Sequence, residues 1–226
     1  MCGDKPSLRS GTPPDGGQAG TVSIRLMRME TYDIIASMES KKDLTKELIA
    51  NCFHELMLTT PFDKITIKMI TGEAGLIRPT FYKHFQDKYE VLEWLFKTNV
   101  MDNVDLLLNN EMESDAIVMF CRCLDKDRKF YRRACMMEPG PNSFEQILTR
   151  YIYQVFLDLA VRYSIRADKR TPFLTREVIA TYYTYGLVNT IRDWLLGNSE
   201  VSAEELAESY QYLLSHSVLD LLHETP

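Results

Sequence analysis

Apolar residues recur at spacings of three and four through most of this chain from residue 43 onward, and this periodicity most limits how the chain can fold. The first run places one apolar stripe along a helix, formed by Leu44, Leu48, Ile49, Cys52, Phe53, Leu56 and Met57. A helix with such a stripe must bury it against other elements. No segment shows the sustained alternation that is typical of a β-strand. The sequence therefore predicts an all-α fold.

Capping signals divide this pattern into separate helices. Pro61 ends the first helix, Thr66 is suited to cap a second, and Pro79 stands in the first turn of a third, which we expect to span residues 78–85. Asp87 with Glu90 forms a capping box for a long fourth helix. Similar signals predict further helices at about 114–126, 128–137, 143–164, 175–196 and 202–223.

The overall composition is that of a globular protein. Its 226 residues are 45% apolar, enough for a substantial core. No run reaches the roughly 18 apolar residues of a membrane span, and residues 1–28 lack the apolar centre of a secretory signal. Five cysteines, an odd number without framework spacing, indicate reduced thiols. We therefore expect no membrane association and a cytosolic location.

Composition changes along the chain in a way that indicates three parts. Residues 1–28 are rich in Gly, Pro and Ser, so we expect residues 1–40 to be a disordered extension. Although the net charge is −6, residues 41–85 carry seven Lys and Arg against five Asp and Glu. The remainder, 86–226, is acidic. A mildly basic block before an acidic body suits a small polyanion-binding module on a larger domain.

The stretch TIKMITGEAGLIRPTFYKHF, residues 66–85, has the pattern of two short helices joined by a tight turn. Ala74 is small, as a close crossing of the helices requires, and Gly75 can adopt the positive φ that other residues resist. Phe81 and Phe85, one helical turn apart, would hold the second helix against its neighbours. This arrangement predicts a helix-turn-helix.

The remaining side chains of the second short helix cannot share the buried face. Arg78, Pro79, Thr80 and Lys83 would line its outward side, where a helix can enter a major groove of DNA. Arginine can bond two acceptors of guanine, and a proline ring can touch a thymine methyl. Tyr82, His84 and Lys88, together with backbone N–H groups at helix starts, suit phosphate oxygens.

The segment from Thr66 to Leu92 resembles the DNA-binding domain of the TetR family of bacterial transcriptional regulators. The whole match covers about 45 residues, and this segment agrees with the family in order and spacing: a Thr, an apolar pair, an Ala-Gly-apolar turn, Thr-apolar-Tyr-x-x-Phe, and a Lys at the start of helix four. Residues 129–148 are similar to a dihydroxyacetone-kinase regulator-like subgroup. The resemblance implies a three-helix DNA-binding domain at 41–88 and a helical regulatory and dimerisation domain at 89–226.

The resemblance also implies particular contacts. The residues expected to contact bases are Arg78, Pro79, Thr80 and Lys83. Those expected to contact phosphates are Thr66, Tyr82, His84 and Lys88. Structural roles in the helix-turn-helix are expected for Ala74, Gly75, Phe81 and Phe85. Two positions depart from the family pattern. Ile77 cannot cap the recognition helix as serine would, and Gly72 costs roughly 1 kcal/mol relative to alanine inside a helix.

The same resemblance implies a homodimer that binds a near-palindromic operator in double-stranded DNA. The helices at about 175–196 and 202–223 would pair across the two-fold axis. A small-molecule or protein effector would act on the C-terminal domain, but the sequence does not indicate its binding residues. We expect no cofactor and no bound metal, and location in the bacterial cytosol at the nucleoid.

Other interpretations of these patterns stay open from the sequence alone. The chain could be a helical protein–protein adaptor that has lost DNA binding, or residues 66–88 an ordinary helical hairpin. Cys121, Cys123 and Cys135 are better suited to buried structural thiols than to a metal site, because no further ligands complete it. His216 and His223 suit surface or interface positions. Trp94, Phe120, Tyr131, Tyr153 and Tyr183 could line a ligand cavity or the core. No catalytic motif is evident, so we expect no enzyme.

Overall fold

The computed structural model describes residues 43–163, 171–197 and 200–222. The described residues from Lys46 onward belong to one compact unit. The extension predicted at residues 1–40 lies outside the described residues, as does His223. Within the described ranges every regular element is helical and none is a strand, which agrees with the predicted all-α fold.

The N-terminal elements are short. Helix α1 comprises residues 43–59, and a 3₁₀ turn follows at Phe62–Lys64. Helix α2 spans Ile67–Glu73, α3 spans Arg78–Tyr82, and α4 spans Lys88–Phe96. Thr66, predicted as the cap of α2, accepts a hydrogen bond from the Met69 N–H at 3.2 Å. Asp87 caps α4 in the same way through the Glu90 N–H at 2.9 Å.

Helix α4 continues without a break beyond its last α-helical residue. A π-helical segment spans Lys97–Met101, and α5 follows at Asp102–Leu108. The backbone of Phe96 and Asp102, on either side of the segment, is helical. The sequence did not predict α5 as a separate helix, because no capping residue marks its start after Met101.

The remaining helices form the larger part of the molecule. They are α6 (Glu113–Lys126), α7 (Arg128–Cys135), α8 (Phe144–Arg162), α9 (Arg176–Leu196), α10 (Ala203–Ser215) and α11 (Val218–Leu221). The predicted starts and ends of the first four agree within about two residues. No helix in the described ranges is both long and apolar enough to cross a membrane.

Two helix ends differ from prediction. The helix predicted at 202–223 breaks at His216, because Ser217 and Asp220 form a second capping box that starts α11. The recognition helix ends at Tyr82 rather than at residue 85. The predicted buried stripe of α1 is also shorter than expected, since Leu44 and Leu48 are 61% and 43% exposed.

Aromatic rings join the N-terminal helices to the larger body. Phe96, at the end of α4, is fully buried. Its ring packs edge-to-face against four others at centroid distances of 5.5 to 6.5 Å, those of Phe120, Tyr131, Phe144 and Tyr151. Such pairs add to the stabilisation from burial alone. The end of α4 is therefore held by α6, α7 and α8 together.

Candidate nucleic-acid interface

The turn between α2 and α3 has the hydrogen bonds of a Schellman motif. The Leu76 N–H donates to the Thr71 carbonyl at 2.8 Å, and the Gly75 N–H to the Gly72 carbonyl at 3.2 Å. Gly75 has a φ of 63°, in the left-handed region that glycine enters without cost. Gly75 thus lies in the turn between α2 and α3.

Helix α3 begins without a side-chain cap. Ile77 occupies the N-cap position, makes no capping hydrogen bond and is 68% exposed. Pro79 stands in the first turn, where its missing N–H costs nothing. A helix of five residues is not stable by its own hydrogen bonds. Its position must therefore come from packing.

Two phenylalanines supply that packing, as the sequence predicts. Phe81 and Phe85 are 0% and 2% exposed, and their ring centroids lie 5.9 Å apart. Phe85 also packs edge-to-face on Trp94 of α4 at 6.1 Å. The Lys46 ammonium of α1 lies 5.1 Å from the Phe85 ring centroid and 5.4 Å from that of Trp94. The end of α3 is thereby held against both α1 and α4.

The side chains expected to contact bases lie on the outside of this anchored helix. Arg78, Pro79 and Lys83 are exposed and Thr80 is half-buried. Thr80 lies within α3, and Lys83 is its C-terminal cap. The structure thus brings all four predicted base-contacting residues together on one short, accessible segment.

The residues expected to contact phosphates differ in their exposure and in their contacts. Thr66 is exposed, and its hydroxyl oxygen accepts the Met69 N–H, which leaves the hydroxyl hydrogen able to donate. Tyr82 is 56% exposed, with its ring edge-to-face on Phe81 at 5.6 Å. His84 is half-buried.

Lys88 is placed differently from the expectation of a phosphate contact. Its ammonium donates hydrogen bonds to the carbonyl oxygens of Phe62 at 2.7 Å and Ile65 at 3.0 Å, and lies 4.3 Å from the Phe62 ring centroid. Burial lowers the pKa of Lys88, against the opposing influence of Asp63 and Asp87. The side chain therefore binds the segment before α2. Nothing in the local sequence signals this role, because it depends on carbonyls 23 to 26 residues away.

The larger helices enclose an apolar cavity of about 270 Å³ between α5, α6, α8, α9 and α10. Buried residues such as Val104, Phe120, Ile152 and Leu187 line it, and Met101 reaches it from the π-helical segment. Polar groups are few: Glu113 accepts a hydrogen bond from the Tyr163 hydroxyl at 2.8 Å. Of the five aromatic residues considered as cavity lining, Phe120 alone contributes here.

Helices α9 and α10 expose apolar side chains along their length. Tyr182 and Tyr185 of α9 are 74% and 57% exposed, and Tyr212 and Leu213 of α10 are 52% and 51% exposed. The Tyr210 hydroxyl donates to the Tyr183 carbonyl at 3.1 Å and ties the two helices together. We refer to Tyr182, Tyr185, Tyr212 and Leu213 as the α9–α10 surface.

The cysteines considered as metal ligands do not form a metal site. Burial raises the pKa of the Cys121 and Cys135 thiols to about 12, so both stay protonated. No group of three His, Cys, Asp or Glu side chains suited to a metal ion occurs in the part of the chain that the structure describes.

Comparison with known proteins gives matches of three kinds. Residues 110–216 match the family TetR_C_8, described as a transcriptional regulator C-terminal region. The chain is 25% identical over 122 residues to the HTH-type dhaKLM operon transcriptional activator DhaS of Lactococcus lactis subsp. lactis. That match covers 50% of this chain and 63% of the relative, so the chain spans less than two thirds of this relative's length.

Solved structures share the fold. The dihydroxyacetone kinase operon activator DhaS superposes with a TM-score of 0.55 at 21% identity, over 76% of this chain and 94% of that one. A TetR transcriptional regulator from Streptococcus agalactiae 2603V gives 0.56 at 19% identity, over 80% and 98%. Together with the helix-turn-helix described above, these findings show that the chain is similar to TetR-family transcriptional regulators in its C-terminal region and in its fold.

Proposed function

We propose that this protein is a sequence-specific DNA-binding transcriptional regulator that acts as a homodimer in the bacterial cytosol. The observation that carries the proposal is the presentation of Arg78, Thr80 and Lys83 on a helix whose other side is anchored by Phe81 and Phe85. A protein that had become an adaptor would have no need to hold this polar surface rigidly.

The α3 helix would lie in the major groove. Arg78 would bond the O6 and N7 acceptors of a guanine, and the Pro79 ring would contact a thymine methyl. Thr80 and Lys83 would complete the base contacts. Their exposure makes all of this accessible without rearrangement of the protein.

Phosphate contacts would fix the register on DNA without reading sequence. The hydroxyls of Thr66 and Tyr82 and the imidazole of His84 supply three donors near α3. The N–H groups in the first turn of α4 that Asp87 does not use supply more, at the positive end of a nine-residue helix. The Lys88 ammonium is excluded from this set, because the carbonyls before α2 already bind it.

The α9–α10 surface would form the dimer interface. Exposed tyrosine and leucine side chains on two helices are typical of a surface that another subunit covers. A two-fold dimer places two α3 helices on one side of the duplex, so the operator would be nearly palindromic with half-sites about 34–36 Å apart or a multiple of this.

The apolar cavity would receive the signal. Its volume and lining suit a small, largely apolar effector. Because Met101 lies at the end of the segment that continues α4, an occupant would contact the same helical path that leads to the DNA-binding residues. The effector would change DNA affinity only as far as it favours one arrangement of the two subunits over another.

Selection of bound fragments from genomic DNA with the purified chain, followed by binding assays on the recovered duplex, tests the proposal. We expect Arg78→Ala to lower discrimination at one base pair by about 1–3 kcal/mol. Raising salt from about 50 to 200 mM should weaken binding by about 10³ to 10⁵ if six to ten phosphates are contacted.

The matched control is Arg176→Ala, which removes an exposed arginine at the start of α9 and should leave base preference unchanged. An adaptor would show no salt-sensitive duplex binding and no difference between the two variants. That result would refute the proposed function.

A further inference from the structure

A second cleft, of about 620 Å³, lies where α1 meets the π-helical segment and the junction of α6 with α7. It shares no lining residue with the apolar cavity. Its lining is mainly polar, from His54 on α1 through Asn99 on the π-helical segment to Lys126 and Asp127 at the end of α6. This composition differs from that of the apolar cavity, so the cleft would take a different kind of occupant.

The cleft has a buried hydroxyl at its floor. Tyr131 lines it and is 1% exposed. Burial, and then the neighbouring Asp127 and Cys123, raise the pKa of Tyr131, so the phenol stays protonated and is a hydrogen-bond donor. Asp127 and Cys123 line the same cleft. Tyr131 makes no hydrogen bond within the described ranges, so its hydroxyl can donate to an occupant of the cleft.

The acidic group of the cleft already has a hydrogen-bond partner. The Asp127 carboxylate lies 2.6 Å from His54 Nε2, and the imidazole stacks on Phe130 at 4.7 Å. Arg122 at the rim is paired with Glu204 at 2.6 Å. Lys126, exposed beside Cys123, forms no ion pair in the described part of the chain. The groups left to act on an occupant are therefore a cation and neutral donors.

We propose that this cleft is a second ligand site, which binds a small organic anion. The Lys126 ammonium at the rim and the Tyr131 hydroxyl at the floor donate hydrogen bonds to its carboxylate or phosphate oxygens. The side chains of Thr98, Asn99 and Asn103 supply further neutral donors along the wall formed by the π-helical segment and α5. This proposal does not depend on the proposed role in DNA binding, because it concerns only the binding of an anion to the cleft.

Calorimetric titration of the full chain with inorganic phosphate and, separately, with acetate tests the site. We expect one of the two anions to bind saturably at one site per chain, and the stronger one identifies phosphate or carboxylate as the preferred group. Chloride at matched ionic strength and glycerol, a neutral polyol, should give no saturable heat. Absence of saturable binding by both anions, or saturable binding of glycerol alone, would overturn the proposal.

Two variants locate the binding. Lys126→Gln removes the cation and Tyr131→Phe removes only the hydroxyl, and each should weaken anion binding about tenfold by loss of a charge-assisted hydrogen bond. Lys129→Gln is the matched control, since Lys129 is exposed one turn further along and lies outside the cleft. Equal weakening by Lys126→Gln and Lys129→Gln would show diffuse surface attraction instead of a site. Thermal unfolding without anion checks that each variant is folded. If Tyr131→Phe does not fold, the result for Lys126→Gln, a substitution on the surface, decides whether the site exists.

Discussion

At the scale of single residues, the contacts of Lys88 differ from those that the sequence pattern suggests. A lysine at the start of α4 is part of the family pattern, and its position suggests a phosphate contact. In the folded chain its ammonium instead binds the carbonyls of Phe62 and Ile65. Side-chain type and helix position were predictable, whereas the carbonyls that gather around the side chain depend on the tertiary fold.

Replacement of Lys88 by methionine should therefore affect stability before it affects DNA binding. Methionine keeps the apolar stem but leaves the carbonyls without their donor, which should cost about 1–3 kcal/mol in the free energy of unfolding. Denaturant unfolding measures this loss. Lys83→Met, at an exposed position, should leave unfolding unchanged and weaken duplex binding. Equal stability of the two variants would contradict the role assigned to Lys88.

The His54–Asp127 pair gives a prediction about pH. The hydrogen bond that His54 donates to Asp127 raises the pKa of His54; burial opposes this effect, and the charges of Asp127 and Glu55 add to it. A group whose pKa is raised by folding stabilises the protein fully below its unfolded value, about 6.5. That contribution is lost as pH rises through the higher folded value.

The stability difference between the wild type and His54→Gln should therefore be largest near about pH 5.5 and shrink by about pH 8. Urea unfolding of both proteins across this range measures it. A difference that grows with pH would contradict the assignment.

At the scale of elements, prediction succeeded where the determinants are local. The caps at Thr66, Asp87, Ser143, Thr175 and Ser202 all form, and each depends on a side chain and a backbone N–H three residues later. Helix α5 was missed because no local signal marks its start: Met101 at the N-cap position makes no capping hydrogen bond, and the helix continues the π-helical segment directly. The apolar cavity was not predictable either, since it requires the relative placement of five helices.

The turn of the helix-turn-helix allows a paired test at Gly72 and Gly75. A Cβ at either glycine would have no atom within 4 Å, so space does not distinguish them. Gly75→Ala should cost about 1 kcal/mol, because alanine resists the positive φ there. Gly72→Ala should stabilise by up to about 1 kcal/mol, because Gly72 lies within α2. Thermal and denaturant unfolding compare the two, and equal shifts of the same sign would contradict the assignment of the turn.

At the scale of the whole molecule, the fold and the family follow from sequence patterns more readily than the assembly does. The predicted domain boundary at residue 88 falls at the start of α4, and that helix runs on into α5 with no loop between them. The domain division and the proposed dimer stay predictions. Each depends on contacts between domains or between subunits, and burial within one chain does not determine those contacts.

The α9–α10 surface provides the test of assembly. Tyr182→Asp with Leu213→Asp would place charges at the proposed interface, and we expect the dimer to dissociate in sedimentation experiments because buried unpaired charges are costly. Affinity for a palindromic duplex should fall much more than affinity for a half-site. Val161→Asp, at an exposed position of α8, is the matched control. A double variant that sediments as the wild type does would place the interface elsewhere.

The attachment of Lys88 to the carbonyls of Phe62 and Ile65 has a consequence for how a signal travels. The first residue of α4 is tied to the entry of α2, and α3 is held to α4 through Phe85 and Trp94. A shift of α4 cannot tilt α3 alone, since it carries α2 and the turn along. Helices α2 and α3 of each subunit would move as a rigid body. An effector would therefore alter the distance between the two DNA-binding units of the proposed dimer without changing the internal structure of either unit.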